Sequence, residues 1–314
     1  MTTLYLVIPC YNEQEVLPET TRRLSEKFTQ MAALGLITGQ SRILLVDDGS
    51  KDDTWKMIEA FSQQDERFAG VKLSRNKGHQ NALLAGLWIA KDRCDAAISL
   101  DADLQDDINA IEEMVKKQQQ GCDIVYGVRS SRKTDTAFKR LTANAFYNLM
   151  RAFGVDILDN HADYRLMSRR ALEGLMEFEE SNLFLRGIVP QIGYKSDIVT
   201  YERGERFAGE SKYPLRKMLA FALDGITSFS VQPIRLITLL GALVFGGSLL
   251  ALVALLIQKL AGYTVQGWSV LMGSIWLLGG IQLLSLGIIG EYIGKTYKEV
   301  KRRPRYFIEQ LTLR

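Results

Sequence analysis

Ala96-Ala97-Ile98-Ser99-Leu100-Asp101-Ala102-Asp103-Leu104-Gln105 decides the fold: an apolar, strand-like run stops abruptly at two carboxylates and an amide on alternate positions. The same pattern recurs on either side of it. Apolar runs at residues 4–8, 43–46, 71–73 and 124–128 alternate with helical patterns at 13–31, 54–64, 80–90 and 108–120. Such alternation predicts βαβ units and a mostly parallel, Rossmann-like α/β sheet. Polar clusters follow the first three runs: Tyr11-Asn12-Glu13, Asp47-Asp48-Gly49-Ser50 and Arg75-Asn76-Lys77-Gly78. In an open α/β sheet the ligand crevice lies at the carboxyl ends of the strands, so these clusters and the Asp101-Asp103 pair are expected to line one edge. Beyond residue 128 the pattern turns helical at 136–153, 168–176 and 182–192, with one further strand expected at 197–201.

Composition removes several chemistries. The three cysteines, Cys10, Cys94 and Cys122, include no closely spaced pair, so neither a disulfide framework nor a thiolate zinc site is expected. Two histidines, His79 and His161, cannot build a metalloprotease helix motif. No G-x-x-x-x-G-K-[ST] loop occurs, and no G-x-G-x-x-G follows a strand. The apolar run near the N-terminus is far too short for a signal peptide, which places the N-terminal part in the cytosol.

The net charge of +3 conceals a segregated chain. Residues 236–257 and 268–289 are two runs of 22 residues without Asp, Glu, Lys or Arg. At ~1.5 Å per residue each helix reaches ~33 Å, enough for a ~30 Å hydrocarbon core. Ahead of them Leu215, Met218, Leu219, Ala222, Ile226 and Phe229 recur at helical spacing, a pattern shared by a helix packed on the domain and one lying on a membrane surface; adjacency to the apolar runs selects the membrane surface. Basic residues flank the hairpin, with Arg216, Lys217 and Arg235 before it and Lys295, Lys298, Lys301, Arg302, Arg303 and Arg305 after it. That bias puts both termini on the cytosolic side, beside anionic lipid and not nucleic acid. The expected organisation is a catalytic domain at 1–212, an interfacial amphipathic helix at 213–233, transmembrane helices at 234–257 and 268–290, and a basic cytosolic tail at 291–314. Glycines along both apolar runs permit close helix approach, so a homo-oligomer is expected.

The alternating acids carry the chemistry. Carboxylates two residues apart in a turn can share one divalent cation, and Mg²⁺ prefers oxygen ligands completed by water and substrate phosphates. Asp101, Asp103 and the amide oxygen of Gln105 are the candidate ligands, while Asp106 and Asp107 are available to cap the helix that follows.

Together, Pro9-Cys10-Tyr11-Asn12-Glu13, Val46-Asp47-Asp48-Gly49-Ser50 and Asp101-Ala102-Asp103-Leu104-Gln105 resemble the family 2 glycosyltransferases of the GT-A fold, over residues 4 to about 230. Gly127-Val128-Arg129, Asp163-Tyr164-Arg165-Leu166, Arg206-Phe207-Ala208-Gly209-Glu210-Ser211-Lys212-Tyr213, Gly290-Glu291-Tyr292-Ile293-Gly294-Lys295 and Arg303-Pro304-Arg305-Tyr306 extend the resemblance over nearly the whole chain. They are similar to the polyprenyl-phosphate branch, which includes dolichol-phosphate mannosyltransferases and bactoprenol glucosyltransferases.

The resemblance implies a UDP-sugar donor, Mg²⁺ or Mn²⁺, and inverting transfer of a hexose, glucose or N-acetylglucosamine first, to undecaprenyl or another polyprenyl phosphate at the cytosolic leaflet. By motif, Pro9, Tyr11, Asn12, Glu13 and Asp48 line the nucleoside pocket, and Asp101, Asp103 and Gln105 hold the metal. Arg129, with Arg140 and Asn144, holds the acceptor phosphate. Arg206, Ser211 and Lys212 close over the diphosphate. Asp163 matches a position proposed as catalytic base, and a positioning role is the alternative because the acceptor is already ionised. The alternative activity is a polysaccharide synthase with a glycan acceptor; no Q-x-x-R-W motif supports it.

Overall fold

The computed structural model describes residues 1–130, 161–180, 184–202, 204, 230–261 and 267–313. The chain divides into two compact units. One comprises Met1–Tyr147, Asp156–Tyr213 and Arg303–Arg314, the other Asn148–Val155 and Pro214–Arg302.

The first unit is built on β1 (Leu4–Cys10), β2 (Arg42–Asp47), β3 (Phe68–Leu73) and β4 (Ala96–Ser99), all parallel. Nearly every residue of these strands is buried, because helices cover both faces of the sheet and no position can be spared for water. Helices α1 (Leu17–Ala33), α2 (Thr54–Gln64), α3 (His79–Ala90) and α4 (Ala110–Gln119) connect or follow them. Helix α1 starts four residues later than its apolar pattern predicts. Pro18, in its first turn, is favoured there because it has no N–H to leave unpaired. Helix α3 lies close on the sheet at Gly86, where a Cβ would come within 2.3 Å of Val7 and 2.7 Å of Val46.

Beyond α4 come β5 (Ile124–Arg129), β6 (His161–Ser168), α5 (Arg169–Met176), α6 (Leu185–Gln191) and β7 (Ser196–Tyr201). Strand β6 has no counterpart in the sequence expectation. It runs antiparallel between β4 and β5, with Ser99 opposite Arg165 and Ile124 opposite Met167. Ser168 caps α5 by accepting a hydrogen bond from the Ala171 amide.

The expected basic tail is corrected at its far end. Residues Ile308–Leu311 form β8, antiparallel to β3, with Val71 opposite Leu311 and Lys72 opposite Gln310. The Thr312 hydroxyl accepts from the Gly70 amide at 2.7 Å, and Lys72 pairs with Glu309. The finished sheet reads β7-β5-β6-β4-β1-β2-β3-β8.

Of the second unit the structure describes two helices, α7 (Gln232–Leu260) and α8 (Trp268–Val300). Both contain segments long and apolar enough to cross a membrane, at Gln232–Ala251 and Ser274–Val300. Leu243, Phe245, Trp276 and Leu283 are exposed along them. The expected helix at 136–153 falls outside the described residues, as does the expected interfacial helix at 213–233 apart from its last four residues, of which Gln232 and Pro233 already belong to α7.

Candidate active site

The carboxyl ends of β1, β2 and β4 bring three of the polar loops together. The loop after β1 is knitted to the loop after β2: the Asn12 amide donates to Ser50 Oγ at 3.0 Å, the Lys51 amide to Asn12 Oδ1 at 2.9 Å, and the Glu13 amide to Thr54 Oγ1 at 2.9 Å. Asn12 holds this position with φ of 55°. Pro9 is buried in β1, and Tyr11 stands exposed at the rim.

Asp48 is turned inward. Its two carboxylate oxygens accept from the amides of Lys77 at 2.6 Å and Gly78 at 2.8 Å, which fastens the loop after β3 to that after β2. Burial raises its pKa against those hydrogen bonds. Gly49 makes the crossing possible: at φ of 67° a Cβ would lie 2.7 Å from the backbone of Arg75 and Asn76. Neighbouring Asp47 is fully buried. It accepts from the Ser50 amide through Oδ1 at 3.2 Å, while Oδ2 has no hydrogen-bond partner among the described residues.

The loop after β4 carries the acids. Thr20 of α1 donates to the carbonyl of Ala102 at 2.8 Å, and the Gln105 amide donates to Asp103 Oδ1 at 3.2 Å. Leu104 turns the chain with φ of 57°. Asp101 keeps 40% of its side-chain surface and lies 3.5 Å from His79 Nε2. Protein packed around the carboxyl raises its pKa to about 6; His79 opposes the rise, and the like charges of Asp106, Asp163 and Asp103 add to it.

Asp163 enters from β6. Its carboxylate pairs with Arg165 Nη2 at 2.6 Å and with Arg186 Nη2 at 3.2 Å, and also accepts from Arg186 Nε at 3.3 Å. Burial works against ionisation, but the Arg186 and Arg165 guanidinia outweigh it and hold the carboxyl well below the usual carboxylate range. Ser99 Oγ donates to the Asp163 carbonyl, which ties this acid to β4. Arg129 ends β5 and pairs with Asp106 at 3.3 Å.

The structure therefore brings Asp101, Asp103 and Asp163 within reach of one another's charge and places Pro9, Tyr11, Asn12, Glu13 and Asp48 at the carboxyl ends of β1 and β2 and in the loops that follow them. Arg140, Asn144, Arg206, Ser211 and Lys212 lie outside the described residues. Sequence reasoning assigned no site role to Arg186, Asp106, Tyr201 or His79. A pattern signal existed only for His79, which opens a helix directly after a polar cluster.

A divalent cation fits this chemistry. The like charges crowding Asp101 are a potential that a cation relieves. Among the described residues no group of three or more acids, imidazoles or thiols suffices to hold a metal ion. A Mg²⁺-type site asks less of the protein than such a group, since one or two carboxylates are completed there by substrate phosphates and water.

A sheet of this order, with acidic loops at the carboxyl edge of its parallel half, is the GT-A architecture of a glycosyltransferase. The family model described as Glycosyl transferase family 2 matches residues 5–176, and the chain belongs to that family. It is 56% identical over 98% of its length to the uncharacterized glycosyltransferase YkoT of Bacillus subtilis strain 168, covering 91% of that protein. It is 40% identical to the prophage bactoprenol glucosyl transferase homolog of Escherichia coli K12, over 98% of each chain. The SfII prophage-derived bactoprenol glucosyl transferase of Shigella flexneri is 41% identical over 97% of each.

Proposed function

We propose that this protein transfers glucose from UDP-glucose to a polyprenyl phosphate, with inversion, at the cytosolic face of a membrane. The observation that carries the reading is the near-full-length match to bactoprenol glucosyl transferases, combined with an acid-lined crevice at the sheet edge. In this reading residues 1–212 are the catalytic domain, 213–233 lie on the membrane surface up to the first two residues of α7, and the apolar parts of α7 and α8 cross it. Connectivity supports the topology. The chain leaves the first unit before α7 and returns to it as β8 after α8, so an even number of crossings keeps both ends on one side. Lys295, Lys298, Lys301, Arg302 and Arg303 then fall where anionic headgroups attract them. Gly241, Gly246, Gly287, Gly290 and Gly294 face open space, which supports self-association through the helices.

The mechanism follows from charge. A phosphate monoester loses its second proton near pH ~6, so at neutral pH the acceptor is already a dianionic nucleophile. Its oxygen attacks the anomeric carbon as the bond to UDP breaks. Positioning, not deprotonation, is what the protein must supply. Asp101, Asp103 and Gln105 would hold Mg²⁺ or Mn²⁺, whose charge would offset that of the donor diphosphate. Arg129, assisted by Arg140 and Asn144, grips the acceptor phosphate, for which the planar guanidinium fork is suited. Arg206, Ser211 and Lys212 stabilise the departing diphosphate, where negative charge grows most in the transition state. Pro9, Tyr11, Asn12, Glu13 and Asp48 shape the nucleoside pocket. Asp163, already committed to two arginines, acts as an anchor and not as a base.

Purified full-length protein, supplied with Mg²⁺ or Mn²⁺, undecaprenyl phosphate and radiolabelled UDP-glucose, is expected to place label in the organic phase, and Asp103→Ala to abolish it. Label from UDP-N-acetylglucosamine but not UDP-glucose would overturn the sugar assignment. Water-soluble polymer in place of lipid product would identify a polysaccharide synthase instead.

A further inference from the structure

Asp106 does not do what its position suggests. It follows the Asp101-Ala102-Asp103-Leu104-Gln105 run and precedes α4, where an aspartate ordinarily caps the helix. Here the N-cap is Asn109, with no side-chain cap bond, and the Asp106 carboxylate points elsewhere. It is buried. Its Oδ1 accepts from the phenol of Tyr201 at 2.5 Å and from Arg129 Nη2 at 3.3 Å. Arg129 Nε in turn donates to the Tyr201 phenol oxygen at 3.4 Å, closing a three-membered ring.

The ring is rigidly built. Arg129 and Tyr201 face one another as the last register pair of β5 and β7. Tyr164 packs edge-on against Tyr201 with ring centroids 5.3 Å apart, and donates its own phenol proton to the Asp107 carbonyl at 3.0 Å. A buried carboxylate is costly unless paired and hydrogen-bonded. Asp106 has both kinds of partner, and both belong to the strand ends next to the crevice. Arg129 is the member that reaches out: 24% of its side chain is exposed, and its Nη1 has no hydrogen-bond partner among the described residues.

We propose that Asp106, seconded by Tyr201, is a positioning residue that fixes the Arg129 guanidinium by one edge so that the other meets the acceptor phosphate. The inference rests on the reading of Arg129 as the acceptor-phosphate group. Its chemical content is preorganisation: an arginine already held in one rotamer loses less freedom when it binds. One loop then serves both substrates, with Asp101 and Asp103 on the donor side and Asp106 behind the arginine of the acceptor side.

The test uses the full-length protein in detergent with undecaprenyl phosphate and UDP-glucose, and reads acceptor KM, donor KM and UDP affinity in the presence of Mn²⁺. Asp106→Asn is expected to raise acceptor KM about tenfold, the scale of one hydrogen bond to a charged group, and to leave UDP affinity within twofold of wild type. Arg129→Ala raises acceptor KM by at least as much. Adding Asp106→Asn to Arg129→Ala changes it by less than about twofold, because the carboxylate acts through the arginine. If Asp106→Asn does not yield folded protein, Tyr201→Phe, which leaves the ion pair intact, gives the same pattern at about threefold. An unchanged acceptor KM in the Asp106 or Tyr201 variants, with Arg129→Ala affected, overturns the inference. Multiplicative effects in the double variant overturn it as well, since they mark an independent structural role. An unchanged acceptor KM in Arg129→Ala refutes the underlying assignment of Arg129, and the inference falls with it.

Discussion

Replacing Asp163 by asparagine separates an anchor from a base. Asparagine keeps the shape but removes the charge opposite Arg165, whose side chain is 1% exposed, while Asp163 itself is 14% exposed. Breaking a buried ion pair from one side costs roughly 3–5 kcal/mol, because the surviving charge is left without compensation. The second partner, Arg186, is 32% exposed, and a pair of that kind adds no more than about 1 kcal/mol. For a unit of this size 1 kcal/mol corresponds to roughly 2–4 °C, so Asp163→Asn is expected to lower the melting temperature by roughly 10–15 °C. The pH dependence has a definite sign. Asp163 is held below its unfolded pKa of ~3.9, so the stabilisation it gives is complete above that value and is lost as pH falls through it toward the folded value. The gap between wild type and variant should therefore stay constant from pH 5 to 9 and shrink below about pH 4. Adding Arg165→Met removes the stranded charge, and the double variant should melt close to wild type. Differential scanning fluorimetry of detergent-solubilised protein reads all of this, with lipid-product formation measured alongside. A single variant that melts within 2 °C of wild type yet transfers a thousandfold more slowly would refute the anchor and restore Asp163 as base.

Two further perturbations probe the frame of the site. Gly49→Ala puts a methyl group 2.7 Å from the backbone of Arg75 and Asn76 at φ of 67°. The dihedral alone costs about 1 kcal/mol, and parting the two loops should weaken UDP binding at least fivefold by calorimetry. Removal of residues 303–314 strips β8 from β3 and bares an edge strand. With three or so net hydrogen bonds lost at about 1 kcal/mol each, melting should fall by roughly 5–10 °C, and light scattering should detect aggregation through the exposed edge.

The parallel half of the sheet was legible because its strands are buried on both faces and must therefore be apolar from end to end. Thr54–Gln64 was read to the residue for a related reason: its neighbours are turn-forming polar residues that leave its limits unambiguous. Strand β6 was opaque because its interior holds Asp163 and Arg165. Charge inside a strand looks like a loop until a partner from another element is known, and Arg186 arrives on α6, 23 residues later. Strand β8 was hidden by length and context, being four exposed residues behind a run of lysines and arginines. The candidate site divided along the same line. The Asp101-Asp103 pair announces itself as a local pattern, since two carboxylates at i and i+2 need no long-range information to suggest a cation. The groups that hold them do not. Asp106 looks like a helix cap, Tyr201 like the end of an edge strand, and Arg186 like a surface arginine, because their roles exist only once β5, β6 and β7 stand side by side. A site whose nucleophile arrives already ionised shifts its demands from proton transfer to placement. On the proposed reading placement falls to pairs distant in sequence, such as Asp106 with Tyr201 and Asp163 with Arg186, which is why the chemistry reads more easily from the sequence than the means by which substrates would be held.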